Sequence, residues 1–131
     1  DDDFRQRLEA IRLKAGPMMN LGDVSTKVVP KMSLIAAPQQ GGHVCTRTFI
    51  PHNCHAAIGV LGAVSVATAC IMPGSAAEGV ALVPEGSTKA MSVEHPSGEY
   101  CVELKLDEQG QVSRVGLLRT ARLLSRGELY V

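Results

Sequence analysis

The chain has 131 residues, enough for one domain with a single modest core. Apolar residues make up 45% of it but aromatic residues only 3%, so aliphatic side chains must fill the interior. Its 13 basic and 13 acidic residues cancel, which argues against a nucleic acid or an acidic membrane as partner, because both select a basic excess.

The first predicted element is an amphipathic helix near the start of the chain. Apolar residues recur at helical spacing from Phe4 to Ala15, and the charged residues among them, Arg12 included, fall largely on the other faces. Aspartates open the segment, where the positive end of a helix favours them. Gly16-Pro17 is expected to end or kink this helix.

Short strands joined by turns account for most of the remaining chain. The clearest runs from Tyr100 to Leu106, where apolar and polar residues alternate with the period of a half-buried strand. The stretch from His95 to Gly98 is expected to be a hairpin corner that needs no ligand. The predicted strands are residues 31–37, 44–50, 80–83, 90–95, 100–106, 112–118 and 128–131.

The most unusual segment runs from Phe49 to Ala77 and contains no Asp, Glu, Lys or Arg. Its middle predicts a helix from Cys54 to Met72 that Pro73-Gly74 ends. A helix that is apolar or small on every side has no face for water, so we expect it to be enclosed. A mainly antiparallel sheet needs an apolar cover on one face. We therefore predict one α+β domain, residues 1–131, whose sheet wraps around this central helix.

The charge-free segment also has the length of a marginal membrane span. However, no Lys or Arg flanks it closely, and the rest of the chain is typical of soluble strands. The four cysteines are widely spaced, and the chain opens with three aspartates rather than a positively charged leader. A reduced, cytoplasmic protein is the favoured interpretation.

The polar residues His52 to His55 lie at the expected start of the central helix. The first N–H groups of a helix lack partners within it, and the aligned peptide dipoles make that end partly positive. Such an end is suited to an anionic ligand. Lys31 and Arg47 are either solvent-exposed charges at strand ends, or they converge with the helix start on carboxylate groups.

A metal site is an alternative for the same region. His43, Cys45, His52 and Cys54 are metal-type ligands, and strand alternation places the first two on one face. Structural zinc usually shows two well-separated ligand pairs, which this spacing lacks, so turn, cap and core roles compete with metal binding. Cys54 fits either an activated thiol at a helix start or a buried structural thiol.

Several short stretches, spread in order over almost the whole chain, together match one known family. They are Leu8–Arg12, Leu21–Asp23, Pro30–Lys31, Pro51–His55, Gly62–Ala63, Glu94–Gly98, Arg119–Arg122 and Arg126–Glu128. In these stretches the chain resembles the C-terminal part of the PrpF-like isomerase family, which includes 2-methylaconitate isomerase and 4-oxalomesaconate tautomerase.

The resemblance implies a fold like that of diaminopimelate epimerase, with two similar domains that each wrap a curved sheet around a central helix. Residues 1–131 would be the second domain without its first strands, and the whole first domain would be missing. Family members are cofactor-independent isomerases that move a proton across an allylic system in unsaturated di- or tricarboxylates. The proton-moving Lys and Cys belong to the first domain. No catalytic residue is therefore assigned to this chain, which alone is expected to be inactive.

We accordingly predict a substrate-binding role for Lys31, Arg47, Asn53 and His55 in the cleft between the two domains, without a cofactor or a metal. The expected partners are a di- or tricarboxylate substrate, the missing N-terminal domain and a second copy of the chain in a homodimer. The alternatives are a non-catalytic binding or assembly domain, or the metal-binding module described above.

Overall fold

The structure, a computed structural model, describes residues 1–130. These residues form one six-stranded sheet and two helices, joined by turns and loops. This mixed architecture confirms the predicted α+β class. In chain order the elements are α1 (Asp2–Met18), β1 (Met32–Ala36), β2 (Val44–Ile50), β3 (Asn53–Cys54), α2 (Val60–Ile71), β4 (Thr88–His95), β5 (Gly98–Leu106) and β6 (Val112–Leu117).

The sheet is mainly antiparallel, with strand order β1-β2-β4-β5-β6 and the short β3 paired to β2. Its one parallel pair joins Val44–Cys45 of β2 to Val93–Glu94 of β4, and α2 lies in the crossover between these strands. Farther along β2, Phe49–Ile50 pair with Asn53–Cys54 of β3. Each strand has two edges, and β1 occupies the other edge of β2. The end of β4 and the whole of β3 therefore lie along one edge of β2.

Small side chains hold α2 against one face of the sheet. Ala63 and Ala67 are fully buried, and their short side chains let the helix backbone approach the strands closely. The same core contains apolar residues that alternate along β4 and β5, which is the reason these two strands were recognisable in the sequence. The core residues of the helix are Ala63, Val66, Ala67 and Cys70, and those of the two strands are Met91, Val93, Val102 and Leu104.

The prediction for the start and the enclosure of α2 was wrong. The helix begins at Val60, with Gly59 as its N-cap, rather than at Cys54. The backbone of Asn53 and Cys54 instead pairs with β2, a partnership that local composition does not reveal. The outer side of α2 is uncovered, and Leu61 is 80% exposed. Within residues 1–130, no helix is both long enough and apolar enough to cross a membrane.

Most of the predicted strands are present within two residues of their expected ends, and two are not. Residues 80–83 form turns and irregular backbone because no neighbouring strand pairs with them. Residues 128–130 form no strand, and the last residue of that prediction, Val131, lies outside the described residues.

Arg12 is the most buried charged residue of α1, although the sequence placed it on an outer face. Its side chain is only 1% exposed, whereas Ile11, predicted to be inward, is exposed. The guanidinium pairs with the Glu9 carboxylate at 2.7 Å, and this hydrogen bond lowers the pKa of Glu9 and raises that of Arg12. It also donates to three carbonyl oxygens of the following loop, those of Val24, Lys27 and Val29, at 3.0, 3.1 and 2.6 Å.

A second buried charge, Glu94, fixes the turn between β1 and β2. Glu94 is only 3% exposed, and its carboxylate accepts hydrogen bonds from three backbone N–H groups. These bonds, led by that of Gln39, favour the ionised form and lower the pKa of Glu94 from its ordinary value of 4.5. The donors are the N–H groups of Gln39, Gln40 and Gly42, at 2.8, 2.7 and 2.8 Å.

Replacing Arg12 by methionine should destabilise the protein by about 3 kcal/mol, because three carbonyl oxygens and the Glu9 carboxylate lose their donor. Urea unfolding measures this loss. The matched control is Arg5→Met, an exposed residue near the start of the same helix, for which we expect a loss below about 1 kcal/mol. Equal losses in the two variants would contradict the assigned role of Arg12.

Glu94→Gln should lower stability at neutral pH and reduce the sensitivity of the protein to acid. The folded pKa lies below the unfolded value near 4.5, so the stabilising effect is fully present above that pH and is lost as the pH falls through the folded pKa. Urea midpoints at about pH 7 and about pH 3 should show a gap between wild type and variant that narrows in acid. Glu108→Gln, in an exposed turn, is the control. A gap of the same size at both pH values would rule out this explanation.

Candidate functional site

Two segments that are far apart in the sequence meet just before α2. The hydroxyl of Ser97, in the turn between β4 and β5, donates a hydrogen bond of 2.6 Å to the carbonyl oxygen of Ala56. The contact follows from the topology, because β3 and the end of β4 share one edge of β2. It brings together the stretches Pro51–His55 and Glu94–Gly98, both of which carry the family resemblance. We take this meeting point as the candidate site.

The site contains two histidines whose rings are oriented by backbone N–H groups. Nδ1 of His55 accepts from the N–H of Ala57 at 2.9 Å, and Nδ1 of His95 accepts from the N–H of Ser97 at 3.3 Å. A ring nitrogen that accepts a hydrogen bond carries no proton, so each neutral imidazole has its proton on Nε2. Both rings therefore present an N–H donor through Nε2.

His95 favours the neutral form. Partial burial lowers its pKa from the ordinary value of 6.5, and the charge of the nearby His55 lowers it further, while a backbone hydrogen bond with Glu99 acts in the opposite direction. At neutral pH the site therefore holds an uncharged donor from β4. His95 was not predicted as a site residue because the sequence His95 to Gly98 is equally typical of an ordinary hairpin corner.

Lys31 and Asn53 lie at the same end of the sheet, on either side of β2. Lys31 directly precedes the pairing of Met32 with Phe49, while Asn53 pairs with Ile50. Neighbouring strands are about 4.8 Å apart, and β2 lies between the two residues, so the Cα atoms of Lys31 and Asn53 are roughly 10 Å apart. Lys31 also lines a cavity of about 620 Å³ between β1 and α2. Both residues are exposed.

Arg47 does not lie with the other predicted site residues. Along β2, Val44 packs in the core beneath α2, and Thr48 lines the cavity next to α2. Side chains alternate along a strand, so Arg47 points to the opposite face. There its guanidinium donates to the carbonyl oxygen of Thr46 at 2.9 Å.

The predicted metal ligands do not assemble into a site. Nδ1 of His43 accepts the N–H of Ser92 at 2.9 Å, and His52 lies 3.8 Å from the Glu9 carboxylate. Throughout residues 1–130, no three His, Cys, Asp or Glu side chains are placed to hold a metal ion. The four cysteines are free thiols.

The fold and the family of the chain follow from comparison with known proteins. As an α+β fold it is similar to a crystal structure of methylitaconate-delta-isomerase, with a TM-score of 0.71, 14% sequence identity, and coverage of 90% of this chain and 38% of that chain. A family model described as PrpF protein matches residues 1–131, so the chain belongs to the PrpF family, as the resemblance indicated.

Two curated relatives are closely similar in sequence. The chain is 57% identical over 129 residues to a (4E)-oxalomesaconate Delta-isomerase of a Novosphingobium species, covering 98% of this chain and 36% of the relative. It is 59% identical over 131 residues to a 4-oxalomesaconate tautomerase of Pseudomonas putida, covering 100% of this chain and 36% of the relative. The chain therefore spans about 36% of the length of these relatives.

The proximity of the two histidines can be tested by NMR titration. We expect the His95 ring to titrate below the ordinary value of 6.5. In His55→Gln its midpoint should rise, because the neighbouring positive charge is gone. His52→Gln is the matched control, since His52 faces Glu9 instead. A His95 midpoint that is unchanged in His55→Gln would show that the rings do not interact.

Proposed function

We propose that this chain supplies the carboxylate-binding part of a cofactor-independent isomerase or tautomerase. The reaction would shift a proton within an unsaturated di- or tricarboxylate of the oxalomesaconate or methylaconitate type. The names of the relatives at 57% and 59% identity support this reaction class. The single structural observation that carries the proposal is the meeting of the His55 segment with the His95–Gly98 turn just before α2, where backbone N–H groups orient both histidine rings.

The chemistry of an allylic proton shift explains what such a site contributes. Removal of a proton next to a carboxylate or carbonyl group leaves negative charge that spreads onto oxygen, in an enolate-like intermediate. Donors aimed at that oxygen stabilise the charge most when they are held in place before the reaction. The Nε2–H groups of His55 and His95 are held in this way, and Lys31 adds a positive charge at the same end of the sheet.

The start of α2 adds backbone donors to the site. Its N-cap, Gly59, has no side chain that could bond the N–H groups of the first turn. These N–H groups lack partners within the helix, and the helix dipole makes this end partly positive. An anion close to residues 59–62 would therefore meet donors that the protein does not use itself.

In this proposal the remaining part of the enzyme supplies the acid–base pair. A two-domain arrangement like that of diaminopimelate epimerase, with the sheet curved around α2, fits the uncovered outer side of the helix at Leu61. It also fits the share of the relatives that the chain spans, about 36%. A first domain would then cover this side and complete the cleft. A homodimer is a further expectation.

The proposal is tested with the full-length protein that carries this chain, assayed for isomerisation of 4-oxalomesaconate and 2-methylaconitate in D₂O. Wild type should turn over one of them and incorporate deuterium at the allylic carbon. His55→Ala and Lys31→Ala should each lower kcat/KM roughly ten- to a hundredfold, the effect of losing one hydrogen bond to a charged group.

Lys14→Ala, on the exposed side of α1, serves as the control and should retain wild-type kinetics. A wild-type protein without isomerase activity on either substrate would refute the function. Full activity in both site variants would remove His55 and Lys31 from the site while leaving the function intact.

A further inference from the structure

Arg119 is an exposed arginine whose position is fixed by a tyrosine. Its guanidinium donates a hydrogen bond of 2.6 Å to the hydroxyl oxygen of Tyr100. The guanidinium carbon also lies 5.3 Å from the centre of the Tyr100 ring, within the range of a cation–π contact. Two contacts to one rigid ring restrict a side chain that would otherwise sample many rotamers in water.

Tyr100 places this arginine at the candidate site. In the β4–β5 ladder His95 pairs with Gly98, and Tyr100 follows two residues later on the same face. His95 and Tyr100 are thus diagonal cross-strand neighbours, about 7–8 Å apart. Tyr100 also packs against the core beneath α2. Arg119 therefore lies on the α2 face of the sheet, at the end where His55 and His95 meet.

The Arg119 guanidinium keeps most of its hydrogen-bonding capacity. It has five N–H donors, and the Tyr100 hydroxyl oxygen takes one of them. Within residues 1–130 no carboxylate forms an ion pair with it. Arg47, the arginine that the sequence favoured, lies on the other face of the sheet and bonds the carbonyl oxygen of Thr46.

We propose that Arg119 binds a carboxylate group of the substrate through two parallel N–H donors, and that Tyr100 is the residue that positions it. This inference rests on the proposed function and assigns one group in it. A planar guanidinium matches a carboxylate in geometry and keeps its charge at any physiological pH. The Nε2–H donors of His55 and His95 remain available for the charge that develops during the reaction.

The kinetic test compares variants of the full-length enzyme. Arg119→Gln should raise KM roughly ten- to a hundredfold with little change in kcat, because the contact exists equally in ground state and transition state. Arg119→Lys should raise KM less than Arg119→Gln, since lysine keeps the positive charge but lacks the two parallel N–H donors of the guanidinium. Tyr100→Phe removes only the hydroxyl and should raise KM a few-fold. Arg114→Gln is the control, because Arg114 pairs with Lys105 on the face away from α2.

A second readout separates carboxylate binding from a structural role. Guanidinium ion added to Arg119→Ala should restore turnover of the substrate, whereas a loss of structure would not respond to it. Wild-type KM in Arg119→Gln, while wild type and Arg114→Gln isomerise normally, would overturn the inference and leave the proposed function standing.

Calorimetry with tricarballylate as probe covers the case in which wild type has no isomerase activity. Weak binding by wild type that is lost in Arg119→Gln and kept in Arg114→Gln would support the carboxylate site on its own. Absence of tricarballylate binding by wild type, or equal binding by all three proteins, would overturn it.

Discussion

The close approach of α2 to the sheet is the constraint on which the site depends. Ala63 and Ala67 are fully buried against apolar side chains of β4 and β5, and a larger residue at either position would push the helix outward. Because the helix is held at that distance, the segment that leads into it reaches the turn after β4. The hydrogen bond from Ser97 to Ala56 can form only there. Packing in the core thus determines the geometry of polar groups at the edge of the domain.

The strands were predictable because their signal is local, whereas the start of α2 was not. In β5, buried Val102 and Leu104 alternate with exposed polar residues, a pattern that the sequence displays directly. Absence of charge identified α2 as a packed helix but could not locate its first residue, since Asn53 and Cys54 are equally free of charge. Their conformation is decided by pairing with β2. The exposure of Leu61 was likewise unpredictable, because composition does not show how many sides of a helix are covered by other elements.

The arginines show why the sequence could predict only part of the candidate site. Three arginines of the same sequence have three different environments. Arg12 is buried under a loop, Arg47 lies on the far face of the sheet, and Arg119 lies over a tyrosine at the candidate site. Helical spacing assigned Arg12 to an outer face, because it takes no account of carbonyl groups in a loop that folds back. Arg119 was noted only within a stretch that carries the family resemblance and was not predicted as a site residue, since its partner Tyr100 is 19 residues away. His55 was predicted as a site residue because it belongs to an evidently polar cluster.

In the proposed reaction a cation that is held in place and an uncharged donor make different contributions to the kinetics. A substrate with two or three carboxylates is already strongly negative, so a site made only of cations would bind substrate and transition state about equally and would lower KM without raising kcat. An arginine held over Tyr100 suits that uniform binding. The neutral Nε2–H group of His95 attracts the resting carboxylates less, and its hydrogen bond strengthens most when charge moves onto the enolate-like oxygen. The lowered pKa of His95 keeps that donor uncharged, so its contribution is concentrated at the step in which the proton moves.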